Sequence, residues 1–260
     1  MSLDRIRLAS LHNKVMSAEQ AATFIKDGMT VGMSGFTRAG EAKAVPLALV
    51  AQAQENPLKI TLITGASLGN DLDKKLTEAG VLARRLPFQV DNTLRKAINK
   101  GEVMFIDQHL SETVEQMRNL QLKKPDVAII EAVAITEDGG IIPTTSVGNS
   151  ASFAILAEKV IIEINTNLSP AFEGLHDIYI PSYRPTRQPI PLTQIDERIG
   201  TQAIQIDPAK IVGIVFNNEL HDSPSTVTAP DDETQSIANH LIAFFEKEVE
   251  TGRLPSHLGP

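Results

Sequence analysis

Three short loops of this 260-residue chain stand out for residue types and spacings that could do chemistry. The first, Gly32-Met33-Ser34-Gly35-Phe36-Thr37-Arg38-Ala39-Gly40, combines hydroxyls with glycines that let backbone come close to a ligand. A helix is expected from Lys43 onward, and amides ahead of a helix attract anions. The loop is not the G-x-G-x-x-G dinucleotide fingerprint, which occurs nowhere in the sequence. An ordinary glycine-rich turn accounts for the same residues.

The second loop, Gly65-Ala66-Ser67-Leu68-Gly69, matches G-x-S-x-G between an expected strand and an expected helix. That is the context of a hydrolase nucleophile elbow, which needs an acid and then a histidine later in the chain. Asp107 with His176 or His221 would fill those places. Against this reading, an elbow normally follows several strands, only about two precede Ser67, and no HGGG-type oxyanion loop lies upstream. The third loop, Pro143-Thr144-Thr145-Ser146-Val147-Gly148-Asn149-Ser150, places hydroxyls, a glycine and an amide ahead of another expected helix. These suit a carboxylate or phosphate, although Asn149 or Ser150 also suits a plain helix cap.

Outside the loops, Glu131 ends the apolar run Val127-Ala128-Ile129-Ile130. A half-buried acid there is either a nucleophile with a raised pKa or, more simply, a hydrogen-bonded support for a neighbouring loop. His12, His109, His176, His221, His240 and His257 show no metal-ligand spacing, so no metal site is expected. Arg84-Arg85 and Arg95-Lys96 are small basic spots that would suit CoA-type phosphates, but a solvated helix face is the simpler account.

The elements that must position these loops alternate between strand and helix. Ser17-Ala18-Glu19-Gln20 has capping-box spacing and predicts a helix over 17–26, ended by Gly28. Strands are expected at 29–34, 59–64, 81–86, 103–107, 126–130 and 159–164, with helices at 43–54, 71–79, 91–99, from about 111, and at 151–157. Glu137-Asp138-Gly139-Gly140 predicts a turn before Ile141-Ile142. The pattern implies an α/β fold, an open and mostly parallel sheet with helices on both faces. All three loops would then lie at the carboxyl ends of strands, where such sheets bind ligands.

The rhythm breaks over 165–198, which carries Pro170, Pro181, Pro185, Pro189 and Pro191 and no helical period. It reads as an irregular arm or lid packing on another half or subunit. Short strands return at 203–206 and 211–216. An amphipathic helix over 232–250 gathers Ile237, Leu241, Phe244, Phe245 and Val249 on one face. The whole of 1–260 is read as one α/β domain.

Composition narrows the function. Apolar residues make up 42% of the chain, enough to bury a core, and a net charge of −8 argues against nucleic acid. There is no cysteine, hence no disulfide framework, zinc-thiolate site or catalytic thiol in the chain, which fits the cytoplasm. No segment approaches the length of a membrane span, and the amino-terminal stretch lacks the apolar core of a signal peptide.

Taken in order, SGFTRAGEAKAVP (34–46), LITGASLG (62–69), DVAIIEAVAITEDGGIIPTTSVGNS (126–150), EGLHDIYIP (173–181), DERIGTQAIQIDPAKIVGIV (196–215) and GRLPSHLGP (252–260) closely resemble the amino-terminal half of the acetyl-CoA hydrolase/transferase family. These class I CoA-transferases include succinate:acetate CoA-transferases and have the NagB/RpiA-like fold. The resemblance implies CoA transfer between an acyl-CoA and a short carboxylate through a glutamyl-CoA intermediate. CoA and acyl-CoA would be substrates, with no tightly bound cofactor. It also implies that the nucleophilic glutamate belongs to a carboxy-terminal half, so no catalytic residue is assigned here. Ser34, Gly35, Phe36, Thr37, Ser67, Thr145, Ser146, Val147, Gly148 and Asn149 match the family pattern and would line the acyl or carboxylate side of the cleft. A homo-oligomer is expected. The chain departs from the family at Arg38, commonly proline, at Glu41-Ala42, commonly tyrosine or serine then proline, and near Ala151, commonly proline. Arg38 and Glu41 would then alter acyl preference or pair with each other. A binding module without catalysis and a serine hydrolase using Ser67 are the alternatives.

Overall fold

The computed structural model describes residues 3–191, 194–218, 220–222 and 227–256. His257 and the LGP segment that follows it lie outside the described residues. The chain divides into two compact units, 1–224 and 225–260.

The first unit is an α/β sandwich. Strands β1 (Thr30–Met33), β2 (Ile60–Ile63), β3 (Leu82–Leu86), β4 (Met104–Phe105), β5 (Val127–Ile135), β6 (Ile141–Pro143), β7 (Lys159–Asn165) and β8 (Ile211–Asn217) form one sheet. Its order is β4-β3-β2-β1-β5-β7-β8; every pair along that path is parallel, and β6 adds antiparallel to β5. Helices α1 (Ala18–Ala22), α2 (Ala44–Glu55), α3 (Leu72–Glu78), α4 (Asn92–Asn99), α5 (Leu110–Arg118) and α6 (Ser150–Leu156) connect the strands. The expected fold class is therefore the observed one.

Strand β5 explains why the sheet is buried on both faces. All nine of its residues are buried, so VAIIEAVAI shows no alternation. It runs to Ile135 rather than stopping at Ile130, because the turn at 137–140 folds β6 back onto its far half. From β1 the chain works outward to β4, then crosses to the other side of β1 as β5. The reversal between β1 and β5 is the switch point at which open sheets leave a crevice beyond their carboxyl ends. The first loop leaves β1 there.

Local chemistry sets most helix starts. Ser17 and Gln20 form the capping box of α1, which ends at Ala22 rather than near Lys26. Asp91 accepts from the Thr93 and Leu94 amides to cap α4. The expected strand at 203–206 is only a bridge between Ile204 and Ile141. Among its described residues the segment 165–198 contains one short 3-10 turn, at Pro170–Phe172, and packs on its own unit. Arg118 of α5 donates to Pro181 O at 2.6 Å and lies 4.0 Å from the Tyr183 ring centroid, and Arg187 pairs with Glu115. These contacts tie the arm to α5.

The second unit contains α7 (Asp232–Glu250), opened by a capping box of Asp231 and Thr234. Its predicted apolar face is present but exposed: Ile237, Leu241, Phe244 and Phe245 are 60, 51, 54 and 40% accessible. Among the described residues no helix is long and apolar enough to cross a membrane.

Candidate active site

The three loops meet at the carboxyl edge of the sheet, and their side chains mostly hold one another. Ser34 Oγ is buried; it accepts the Asn149 amide at 2.9 Å and donates to Gly35 O at 3.3 Å. Asn149 Nδ2 reaches Thr64 O at 3.3 Å, Ser150 Oγ donates to Ser34 O at 3.0 Å, and Ser146 Oγ donates to Ala39 O at 2.7 Å. The Arg38 amide donates to Ser67 O at 3.3 Å. Fit is close: a Cβ on Gly65 would stand 2.6 Å from Ser34 Oγ. At the tip of the first loop Thr37 and Arg38 are left-handed, with φ of 49° and 71°, and Phe36 is 59% exposed. A β-branched residue in that region is strained, and such strain persists only where the surroundings hold it.

Thr145 and Gly148 are exposed, Ser146, Val147 and Asn149 half-buried, and Gly35 buried. The Ser34, Ser146 and Asn149 side chains are consumed internally, which leaves the Thr37 and Ser67 hydroxyls, the Arg38 guanidinium and backbone amides as donors. Among the described residues, the amides of Ala66, Ser67 and Leu68, and those of Thr145, Ser146, Val147 and Gly148, donate to no protein acceptor. Each run precedes a helix, α3 or α6, so the loops present amides suited to a carboxylate or a developing oxyanion.

Beneath the loops lies a buried cluster of charges. Lys43 is fully buried, and its Nζ contacts Glu131 Oε1 at 2.5 Å, Asp222 Oδ1 at 2.9 Å and Glu41 O at 2.7 Å. Burial works to lower this ammonium, but the Glu131 and Asp222 carboxylates more than offset it, leaving its pKa above the ordinary lysine value. Glu131 also accepts from Thr144 Oγ1 at 2.6 Å and Asn165 Nδ2 at 3.0 Å. It is thus the loop support that the sequence allowed, with its oxygens committed. In the register of β5 and β7, Glu131 sits beside Glu163. Glu163 accepts the amides of Lys43, Ala44 and Val45 at 2.8–3.1 Å and Asn217 Nδ2 at 3.2 Å. Complete burial pushes its carboxyl up, against the pull of those amides. Helix α2 has no capping side chain of its own, so strand β7 supplies the cap.

Glu41 does not pair with Arg38. Its Oε1 accepts from Gly69 N at 3.1 Å, and Oε2 is buried with no partner among the described residues. Burial raises its pKa, which the Lys43 charge partly counters. A group with a raised folded-state pKa stabilises below the ordinary carboxylate range and loses that contribution as pH rises through the folded value. Glu41→Gln is therefore expected to gain stability relative to the wild type as pH rises above the ordinary carboxylate range. Urea unfolding at several pH values checks this; a difference that stays constant with pH would refute it.

Arg85 corrects the solvated-face reading. It is fully buried in β3, bonding Asp73 through Nε and Nη2 at 2.8 and 3.1 Å and reaching Thr64 Oγ1 at 2.8 Å, which ties α3 to the root of the second loop. The serine-hydrolase arrangement is absent among the described residues. Ser67 is 6% exposed and shows no left-handed strain, no histidine bonds its hydroxyl, and His176 Nε2 lies 3.1 Å from Pro143 O. Asp107 lines a depression of about 480 Å³ with Ala66, Phe88 and His109.

Sequence reasoning missed Lys43, Asp222 and Glu163. A signal existed: two acids inside otherwise apolar strands require a buried cation or a helix terminus, and Lys43-Ala44 opens the nearest helix without a capping residue. Among the described residues no group of three or more His, Asp or Glu is placed to hold a metal.

The acetyl-CoA hydrolase/transferase N-terminal domain family matches residues 2–216. The succinyl-CoA:acetate CoA-transferase of Clostridium kluyveri is 43% identical over 258 residues, 98% of this chain and 48% of that protein. The acetyl-CoA hydrolase of Saccharomyces cerevisiae is 40% identical over 267 residues, 98% of this chain and 50% of that protein. The chain therefore spans about half the length of the curated relatives it matches. Among solved structures, RipA from Yersinia pestis has a TM-score of 0.61 at 18% identity, covering 89% of this chain and 48% of that one. Glutaconate coenzyme A-transferase from Acidaminococcus fermentans has a TM-score of 0.54 at 15% identity, covering 79% and 76%. At these identities the structural likeness concerns the fold.

Proposed function

The chain belongs to the acetyl-CoA hydrolase/transferase family, and from that premise we propose that it forms the amino-terminal half of an enzyme moving CoA from an acyl-CoA to a short carboxylate. The observation that carries this reading is the convergence of three loops at the sheet switch point with two runs of unpaired amides. A cleft of that kind binds a carboxylate and stabilises the oxyanion that forms when a thioester carbonyl is attacked.

In this reading a glutamate from the carboxy-terminal half attacks the acyl-CoA carbonyl, expels CoA thiolate and forms a mixed anhydride. The thiolate then attacks the glutamyl carbonyl, releases the acyl group as a carboxylate and leaves glutamyl-CoA. An acceptor carboxylate repeats the two exchanges in reverse and leaves as the new acyl-CoA, restoring the glutamate. Water in place of the acceptor gives hydrolysis. This half supplies donors from the Ala66–Leu68 and Thr145–Gly148 amides, while Ser34, Ser146 and Asn149 fix the loops, and Gly35, Phe36 and Thr37 border the site. CoA and acyl-CoA are substrates, and no tightly held cofactor is needed. A homo-oligomer and a cytoplasmic setting belong to the same proposal, the latter supported by the lack of cysteine.

The test is to combine this chain with a companion carboxy-terminal half and follow CoA exchange between acetyl-CoA and succinate. Exchange that requires both halves is expected. A folded, assembled pair without exchange or hydrolysis would sink the reading.

A further inference from the structure

Asp222 lies just beyond β8, outside all three loops, yet its carboxylate touches two of them. Oδ1 accepts the Gly40 amide of the first loop at 3.2 Å and the Lys43 ammonium at 2.9 Å. Oδ2 accepts the Thr145 hydroxyl of the third loop at 2.9 Å. Its side chain is 21% exposed, while the lysine beneath it is fully buried. We propose that Asp222 is a positioning residue, a latch that sets the first loop against the third and fixes the direction of the Thr145 hydroxyl.

Three features support the latch. Gly40 is left-handed, with φ of 75°, and a Cβ there would stand 2.5 Å from Ser146 Oγ, so the two loops touch where the carboxylate bridges them. Lys43 supplies the counter-charge that keeps a partly buried carboxylate in place, and its other carboxylate, Glu131, holds Thr144 of the same loop. Adjacent threonines are thus tied to two acids through one ammonium. A threonine hydroxyl has one proton, and Thr145 gives it to Asp222. Its oxygen is left as an acceptor only, so a ligand carboxylate must be met by the loop amides rather than by this hydroxyl. The substitution Asp222→Asn would weaken the latch, because it removes the charge that holds Lys43 and puts an NH2 donor, in place of Oδ2, against the Thr145 hydroxyl proton.

The test uses two readouts, one independent of the proposed reaction and one resting on it. In the 260-residue chain, amide exchange by NMR should accelerate about 10- to 100-fold at Gly40 in Asp222→Asn. Protection in β5 and β7 should be unchanged. Acceleration spread evenly through the sheet, or none at Gly40, would overturn the latch, since general destabilisation has no local signature. With the companion half present, Asp222→Asn and Thr145→Val should lower kcat about 10- to 100-fold with little change in KM, and Thr145→Ser should restore most of it. A pair with wild-type kcat despite faster Gly40 exchange would overturn the positioning role. Should the unsubstituted pair itself be inactive, the transferase reading fails, and the exchange result still decides the latch.

Discussion

Replacing Lys43 with methionine is expected to destabilise the fold by about 3–5 kcal/mol, the cost of leaving a buried carboxylate without its partner. For a domain of this size that is a fall in melting temperature of roughly 6–20 °C. The effect is large because the ammonium serves three acceptors at once, Glu131 at 2.5 Å, Asp222 at 2.9 Å and Glu41 O at 2.7 Å, and is itself wholly shielded from water. Methionine keeps the length of the side chain, so the loss reports charge and hydrogen bonding rather than a cavity. Glu131 would retain Thr144 and Asn165, which neutralise nothing. The cleaner measurement is a cycle with Glu131→Leu. Removing both partners should cost clearly less than the sum of the single changes, because an apolar pair no longer strands a charge. Urea denaturation of the four proteins decides it. A Lys43→Met variant within about 1 kcal/mol of wild type would show the cluster to be solvated in solution and the buried arrangement wrong.

The alternation of apolar runs and helical stretches was enough to give the parallel sheet, because parallel strands buried on both faces write themselves as unbroken apolar segments such as VAII. The positions of the three loops followed from the same rule. Less legible was which polar groups face a ligand and which face each other. Ser34 and Asn149 look equally available in sequence; only the fold shows that the Asn149 amide donates to Ser34 Oγ. The pairing joins residues 115 positions apart, a distance over which local pattern says nothing. Lys43, Glu131, Glu163 and Asp222 were hidden for a related reason. A charged residue in an apolar run signals a buried partner, but the partner's identity depends on strand register, here Glu131 beside Glu163. Arg85 was misread because two consecutive arginines suggest a solvated surface, whereas a strand turns successive side chains to opposite faces and buries one of them. The exposed apolar face of α7 shows the converse: periodicity locates such a face without saying what covers it.

Gly148→Ala should cost the assembled enzyme about 100-fold in rate, since the glycine stands where the first and third loops touch. Its φ of 50° lies in the left-handed region, which by itself costs an alanine about 1 kcal/mol. The added Cβ would also lie 2.5 Å from Ser34 Oγ and 2.7 Å from Gly35 O. Ser34 can rotate away, but then the Asn149 amide loses its acceptor; Gly35 O is backbone and can yield only if the first loop moves. Either response shifts the Thr145–Gly148 amides relative to the first loop. Displacements near 1 Å in a positioned site cost about 100-fold in rate, and that is the expected loss of CoA exchange in the assembled enzyme. The accompanying destabilisation is expected at about 1–3 kcal/mol, measured by urea unfolding of the 260-residue chain. Gly80 provides the control, being left-handed at φ 69° with nothing within 4 Å of a built Cβ. Gly80→Ala should therefore show the left-handed penalty of about 1 kcal/mol and wild-type exchange. If both substitutions reduce the rate equally, the loss follows general stability, and the close approach of the two loops has no part in the chemistry. If Gly148→Ala alone loses activity while the sheet keeps its protection, the rate depends on where loop three holds its amides.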